Sequence, residues 1–471
     1  VADQAPRRSG PAVRPPAPRP GSGKAAARQE IDPARQAAYE VLKAVRVDGA
    51  YANLVLPAVI RHFGLDARDA AFATELASGT LRRRGTYDAI IAACADRSLR
   101  KIEEKVLDVL RLGTHQLLSM RVPDHAAIST SVNLVRTKGT SGAGNFANAV
   151  LRKVSEHDLE EWITRVAPRK PPSRYAEVAF SHPVWIVDEL RKAVGESELH
   201  AVLAADNEPP RVTLVARPGR STVEELPGEP TPYSPYGVVL EGGDPGAVPA
   251  VKDGRAGVQD EGSQLVAAVL AAAMVEGPDE RWLDLCAGPG GKAALLAALA
   301  GERGAEVLAV ERQQHRARLV ARALAGSPGV LGIVTADGTA PPLRAGSFDR
   351  VLVDAPCTGL GALRRRPEAR WRRKPDDLFT LVLLQRQLLT SALALTRTGG
   401  VVLYATCSPV TAETDDVVSS VLQGRDDVVL EDARALLAQV PDCDGRLPGT
   451  VQLWPHRHGT DAMFMALFRK V

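Results

Sequence analysis

The feature that most constrains the fold lies in residues 257–471. The apolar runs "RWLDL", "EVLAV", "LGIVTA", "RVLVDAP", "VVLYAT" and "AMFMALF" alternate there with "GSQLVAAVLAAAM", "GKAALLAALAG", "HRARLVARALAG" and "LVLLQRQLLTSALAL", which read as helices. A strand with no polar side must be covered on both faces. The pattern therefore predicts a parallel sheet between two layers of helices, a Rossmann-like α/β domain. Ligands of such sheets bind beyond the carboxyl ends of the strands. Two of those ends carry a cysteine: "VLVDAPCTG" holds Cys357 and "VVLYATCSP" holds Cys407.

The rest of the chain has a different texture. At 471 residues it is too long for one core, and a multidomain protein is expected. Residues 1–28, rich in Pro, Gly and Arg, read as a disordered basic tail with no apolar segment behind the arginines to make a secretory signal. Residues 29–166 read as an all-α domain. Ala37, Val41 and Val45 share one helical stripe, and Ile102, Val106 and Leu110 share another. Leu117 and Leu118 carry the second stripe on after a break near Gly113, while "ISTSVNLVRTKG" stops at Gly139. Residues 167–256 open with the linker-like "APRKPPSR". They continue with a helix, "VWIVDELRKAV", a strand, "RVTLVA", and proline-rich loops, which together predict a small α+β insert.

Composition narrows the functional classes. A net charge of +3 excludes a strong whole-protein field, so a nucleic acid would have to be met by local basic patches. No apolar run is read as reaching the roughly 20 residues that span a bilayer, so no membrane partner is expected. Five cysteines form no disulfide framework, which points to a reducing, cytoplasmic setting.

"LDLCAGPGGKAALLAALA" reads as strand, glycine turn and helix. Gly288, Gly290 and Gly291 let the backbone approach a ligand, Pro289 tightens the turn, and the helix N-terminus behind it offers free N–H groups. The turn alone suits NAD, a phosphate or S-adenosylmethionine equally. It is no Walker loop, because Lys292 follows the glycines too closely and no Ser or Thr comes after it. Glu311 ends the next strand, where a carboxylate reaches ribose hydroxyls. Asp337 ends the third, beside the place of an adenine, and Asp354 the fourth. An acid at each tip fits a methyltransferase better than a dehydrogenase.

A thiolate in an electropositive pocket attacks electron-poor carbon, and carbon 6 of cytosine is such a centre. Asp354 stands where it can hold the base edge. Cys94 and Cys443 read as buried apolar residues, and Cys286 as a contributor of backbone rather than thiol. Spacing alone does not say which of Cys357 and Cys407 attacks.

"DLCAGPGGK", "DAPCTGLGALRRRPEARW" and "YATCSPVTAE" resemble the RNA 5-methylcytosine methyltransferases, and "NFANAVLRKV" in the helical region resembles NusB. The combination is similar to the RsmB/Fmu (Sun) family of 16S rRNA cytosine-C5 methyltransferases, from about residue 29 to the C-terminus. That resemblance implies a NusB-like RNA-binding helical domain and an S-adenosyl-L-methionine-dependent catalytic domain. Cys407 becomes the nucleophile and Cys357 the thiol that assists product release. Cys286, Ala287, Gly288, Pro289, Gly290, Gly291 and Lys292 form the cofactor loop, with Glu311, Asp337 and Asp354 as cofactor acids. The sequence departs from the family's usual residues at Gly288, Ala293 and Glu311, all modest changes.

RNA is the expected partner, 16S rRNA first, with no metal and a monomeric enzyme. "RRRPEARWRRKPDD" follows the Cys357 turn directly. Arg364, Arg365, Arg366, Arg370, Arg372 and Arg373 are read as phosphate contacts, and Trp371 as a stacking platform. "LRRRGTYD" is a second basic patch, and His456 and His458 are read as a turn near the RNA groove. Rival readings are a transfer-RNA substrate, a non-catalytic RNA-binding or antitermination factor, and a dehydrogenase. The two strand-tip cysteines argue against the last two.

Overall fold

The computed structural model describes residues 32–140 and 142–471; the expected basic tail over 1–28 lies outside the described residues. Helices α1 (Pro33–Val47), α2 (Ala52–Phe63), α3 (Ala67–Arg82), α4 (Arg84–Ala95), α5 (Glu104–Ser119), α6 (Asp124–Lys138), α7 (Ala143–Val154) and α8 (Leu159–Val166) build the N-terminal unit. Capping fixes several starts. Asp32, Asp66 and Asp158 each accept a hydrogen bond from the backbone N–H three residues on, and Pro33 opens α1. Ala37, Val41 and Val45 are buried together, as their spacing requires. The break expected near Gly113 is absent: α5 runs straight through it. Gly113 serves close packing instead, since a Cβ there would lie 2.8 Å from Leu151 Cδ2 on α7.

Helices α9 (Pro172–Ala179), α10 (Val184–Val194) and α11 (Glu196–Ala205) lead to a four-stranded antiparallel sheet in the order β2-β3-β1-β4. Its strands are β1 (Thr213–Ala216), β2 (Glu229–Pro230), β3 (Gly237–Val239) and β4 (Ala256–Val258), with the short α12 (Pro249–Lys252) before β4. The expected boundary at 256/257 falls inside β4, a strand too short to leave a periodic signal.

The C-terminal α/β domain continues with α13 (Glu261–Ala272), β5 (Arg281–Asp284), α14 (Gly291–Gly301), β6 (Glu306–Glu311), α15 (Gln314–Leu324), β7 (Val330–Thr335) and β8 (Phe348–Asp354). It then runs through α16 (Ala369–Arg372), α17 (Pro375–Leu395), β9 (Thr396–Thr406), α18 (Asp415–Leu422), β10 (Val428–Glu431), β11 (Val451–Gln452), α19 (Pro455–His458) and β12 (Phe464–Lys470). The sheet order is β10-β12-β9-β8-β5-β6-β7, with β11 paired to β12. Strands β9 through β7 are parallel, whereas β12 runs antiparallel to β9.

Alternate residues of one strand enter opposite cores. Leu352, Leu403 and Ala405 pack with Leu265, Val269 and Leu295 under α13 and α14. Val351, Val353, Val402 and Tyr404 pack with Leu388, Leu389 and Leu393 of α17. This double coverage is why the strands read as continuous apolar runs. Contrary to the expectation that no apolar run reaches membrane length, α17 is long and apolar enough by length and composition. It lies on the sheet through Gln385, Leu388, Leu389 and Ala392, in contact with β8 and β9.

Candidate active site

Chain order reverses at β5, which has β6 on one side and β8 on the other. Such a switch point opens a crevice beyond the strand ends. The turn after β5 and the turns after β8 and β9 all face it.

The first turn runs from Leu285 to Gly290. Gly290 has φ +113°, and a Cβ there would sit 2.7 Å from Ala323 Cβ and 3.0 Å from Val320 Cα, so only glycine fits. At Gly288 a Cβ would fall 2.0 Å from Glu311 Oε2, which brings the turn directly against the acid ending β6. Glu311 is buried, accepts from Gln313 N at 2.8 Å and lies 3.6 Å from Arg316 Nε. Arg316 also donates to the Gly288 carbonyl. No side chain caps the N-terminus of α14, so its first amides point at the crevice unpartnered by a cap.

One acid in this turn escaped the sequence reading. Asp284, the last residue of β5, is wholly buried. Its Oδ1 accepts from Cys286 N at 3.2 Å, and no partner reaches its Oδ2 among the described residues. Burial, reinforced by Asp354, pushes its carboxyl up to about 7. The signal was present: an acid closing an otherwise apolar strand just before a glycine turn. A glycine cradle, an uncapped helix end, a buried acid on the next strand and an orphaned carboxylate oxygen together fit a nucleoside cofactor carrying a positive charge. Asp337 is placed less deeply. It is exposed, accepts from Thr339 N and Oγ1, and pairs with Arg312 at 3.5 Å.

The two cysteine turns come from neighbouring parallel strands. Asp354 of β8 is in register with Ala405 of β9, and Ala355 N donates to Ala405 O at 2.9 Å. Gly361 N donates to Cys407 O at 2.9 Å, which folds the first turn over the second. As a result Cys357 Sγ and Cys407 Sγ lie 3.4 Å apart as free thiols. Lys292, from the first turn of α14, donates to Asp354 Oδ2 at 2.9 Å. Among the described residues nothing donates to Asp354 Oδ1.

The two thiols are electrically unequal. The hydrogen bond from Cys357 pulls Cys407 below the ordinary thiol value, with the Lys292 and Arg366 charges adding to it against burial and Asp354. Cys357 is driven well above it, first by the same hydrogen bond and then by burial. One proton is shared, and Cys407 is the sulfur that gives it up. Cys286 is also raised far above its usual value, chiefly by burial, so its thiol is inert and its contribution is backbone. Burial raises Cys94 to about 11 and Cys443 upward as well.

The arginine run contradicts the expectation of a phosphate-binding stripe. Arg370 has no exposed surface. It donates to the carbonyls of Arg82, Ser181 and Asp206 and to Asn207 Oδ1. Arg364 and Arg365 pair with Asp461, and Arg365 also with Asp260. Arg372 donates to the Val45 and Ala50 carbonyls of the helical unit, and Arg373 to the Cys357 and Thr358 carbonyls. Trp371 is wedged against Gly85 with Arg84 over its ring. Of the six arginines only Arg366 stays exposed, over the Tyr51 ring at 5.2 Å. The run is a seam joining the helical unit, the insert and the Cys357 turn.

The second basic patch belongs to the same seam: Arg83 donates to the Ala179 carbonyl, and Arg82 is buried. His456 and His458 are likewise structural. His456 meets Glu198, while His458 lies between Trp454 N and the Pro441 carbonyl. Among the described residues no group of three His, Cys, Asp or Glu is placed to hold a metal.

Comparison with known proteins places this geometry. Residues 271–469 match the family model described as 16S rRNA methyltransferase RsmB/F, and residues 32–156 match the NusB family. A Mycobacterium tuberculosis protein that bears a methyltransferase name is 53% identical over 452 residues, covering 94% of this chain and 98% of its own. The ribosomal RNA small subunit methyltransferase B of Pseudomonas putida is 33% identical over 82% of this chain and 88% of its own. The crystal structure of the protein PH0851 superposes with a TM-score of 0.75 at 22% identity, over 94% of this chain and 99% of its own. That of NSun6 from Pyrococcus horikoshii with SFG gives 0.52 at 19%, over 61% of this chain and 98% of its own.

Proposed function

The chain belongs to the RsmB/F family of 16S rRNA methyltransferases, and we propose that it forms 5-methylcytosine in 16S rRNA through a covalent bond between Cys407 and carbon 6 of the base. The observation that carries the reading is the pair of sulfurs 3.4 Å apart beside the Lys292–Asp354 ion pair.

The 286–292 turn, Glu311 and Asp337 would hold S-adenosyl-L-methionine, which would supply an electrophilic methyl group. A proton shared between the open Oδ1 of Asp354 and cytosine N3 holds the base edge and polarises the ring, and it returns to Asp354 when the sulfur leaves. Cys407, favoured as the thiolate, adds to carbon 6, and the electrons of the 5,6 double bond make carbon 5 nucleophilic. Once carbon 5 carries the methyl group, its proton passes to solvent water, which re-forms the double bond and expels the Cys407 thiolate. Cys357 keeps its proton throughout and stabilises the departing Cys407 thiolate by donating a hydrogen bond to it. The target base must leave its stack to reach this crevice. The helical unit that matches NusB is assigned to RNA capture.

Bisulfite sequencing of 16S rRNA and transfer RNA from a deletion strain, with and without the gene restored, tests the assignment. One 16S cytosine should lose its protection and regain it. Loss confined to transfer RNA, or no loss at all, would overturn it.

A further inference from the structure

Each catalytic cysteine is followed by a hydroxyl residue, Thr358 and Ser408, and both hydroxyls turn away from the crevice into the protein. There they meet one carboxylate. Glu413 has no exposed surface. Its Oε1 accepts from Thr358 N at 2.8 Å and from Gln385 Nε2 at 3.0 Å. Its Oε2 accepts from Ser408 Oγ at 2.6 Å and from Thr358 Oγ1. Gln385, on α17, also donates to the Pro356 carbonyl at 2.9 Å, so the helix beneath both turns is tied in. Tyr404, near the end of β9, donates to the Glu413 carbonyl at 2.7 Å and fixes the backbone that carries the acid.

Four donors converging on two oxygens satisfy a buried carboxylate, which is otherwise costly to bury. They also make it a strut. The β8–β9 ladder ends with Ala355 N on the Ala405 carbonyl, before either cysteine. Beyond it the turns meet through Gly361 N on the Cys407 carbonyl and Thr358 Oγ1 beside Ser408 Oγ at 3.1 Å, and Glu413 is a carboxylate that both turns touch. We propose that Glu413 is a positioning residue that ties the two cysteine turns to each other and so sets one fixed separation between the thiols. The inference rests on the proposed chemistry only in the use made of the two sulfurs.

The strut has an electrical consequence. Its negative charge lies on the Cys357 side and helps to raise that thiol, after the larger effects of the hydrogen bond to Cys407 and burial. Glu413 therefore helps the pair to stay unequal, with the proton on Cys357.

The test labels thiols of the full-length protein with iodoacetamide at pH 7.5, without RNA, and reads each cysteine by peptide mass spectrometry. Glu413→Gln keeps the shape and removes the charge. The Cys407:Cys357 labelling ratio should fall more than twofold, while S-adenosylmethionine affinity is retained. A ratio within twofold of the wild type, with affinity retained, overturns the proposal. Should Glu413→Gln lose its fold by circular dichroism, the double variant Thr358→Val/Ser408→Ala decides. It removes two struts and keeps the charge. Cys407 labelling should slow at least fivefold as its hydrogen bond from Cys357 loosens, and an unchanged rate overturns the proposal. Wild-type protein that labels selectively but methylates no RNA would instead refute the proposed function and leave the strut standing.

Discussion

Replacing Arg370 by methionine separates a seam from an RNA contact. Methionine keeps much of the apolar stem and removes the guanidinium. Three backbone carbonyls, of Arg82, Ser181 and Asp206, and the Asn207 side chain would lose their donor in a site with no exposure. Each such loss costs about 1–3 kcal/mol, and removing one member of a buried charged network about 3–5 kcal/mol in total. Part is returned because the arginine itself is buried at a cost; burial lowers its pKa to about 10. A net loss of about 3 kcal/mol corresponds to roughly a hundredfold in an opening equilibrium. The assay is hydrogen exchange at the amides of Ala52 and Gly85, whose acceptors, Glu368 and Ser181, lie across the seam. Protection there should fall about a hundredfold, while amides inside β5 and β8 keep theirs. Unchanged protection, with RNA affinity reduced and its salt slope shallower by about 0.7, would show that Arg370 meets a phosphate and would refute the reasoning.

Two further outcomes follow from the cofactor turn. Asp284 has a folded-state pKa near 7 against an ordinary 3.8, so its carboxyl contributes stability at low pH that is lost as pH rises through 7. Asp284→Asn should therefore raise the melting temperature at pH 8 and leave it unchanged at pH 4; an equal shift at both would show the acid is not perturbed. Gly290→Ala forces a Cβ into Ala323 at φ +113°, a cost of about 1–3 kcal/mol, and should abolish S-adenosylmethionine binding by calorimetry. Tight binding in a folded variant would show that the turn does not hold the cofactor.

What the sequence made legible was local. The strands were visible because both faces of β8 and β9 are buried, which leaves Val351–Val353 and Val401–Leu403 without a polar interruption. The glycine turn and the strand-tip acids were visible because a few adjacent residues carry them. The arginine run was misread because its acceptors are remote in sequence: Val45, Ala50, Arg82, Ser181 and Asp206 gave no sign of converging on it. Gly113 was misread for the same reason, its meaning residing in Leu151. Asp284 carried a local signal, but the burial that makes it unusual comes from the folded sheet. Glu413 carried none. Its importance comes from Thr358, which reaches it across 55 residues of chain, and Ser408, which reaches it across five.

The chemistry at Cys407 can be read directly in the Cys357→Ala protein incubated with S-adenosylmethionine and 16S rRNA, then digested with nuclease and trypsin for mass spectrometry. Without the releasing thiol, the Cys407 peptide should carry a methylated cytidine nucleotide, and Cys407→Ala should give neither adduct nor methylation. An adduct on another residue, or methylation by the Cys407→Ala protein, would contradict the assignment.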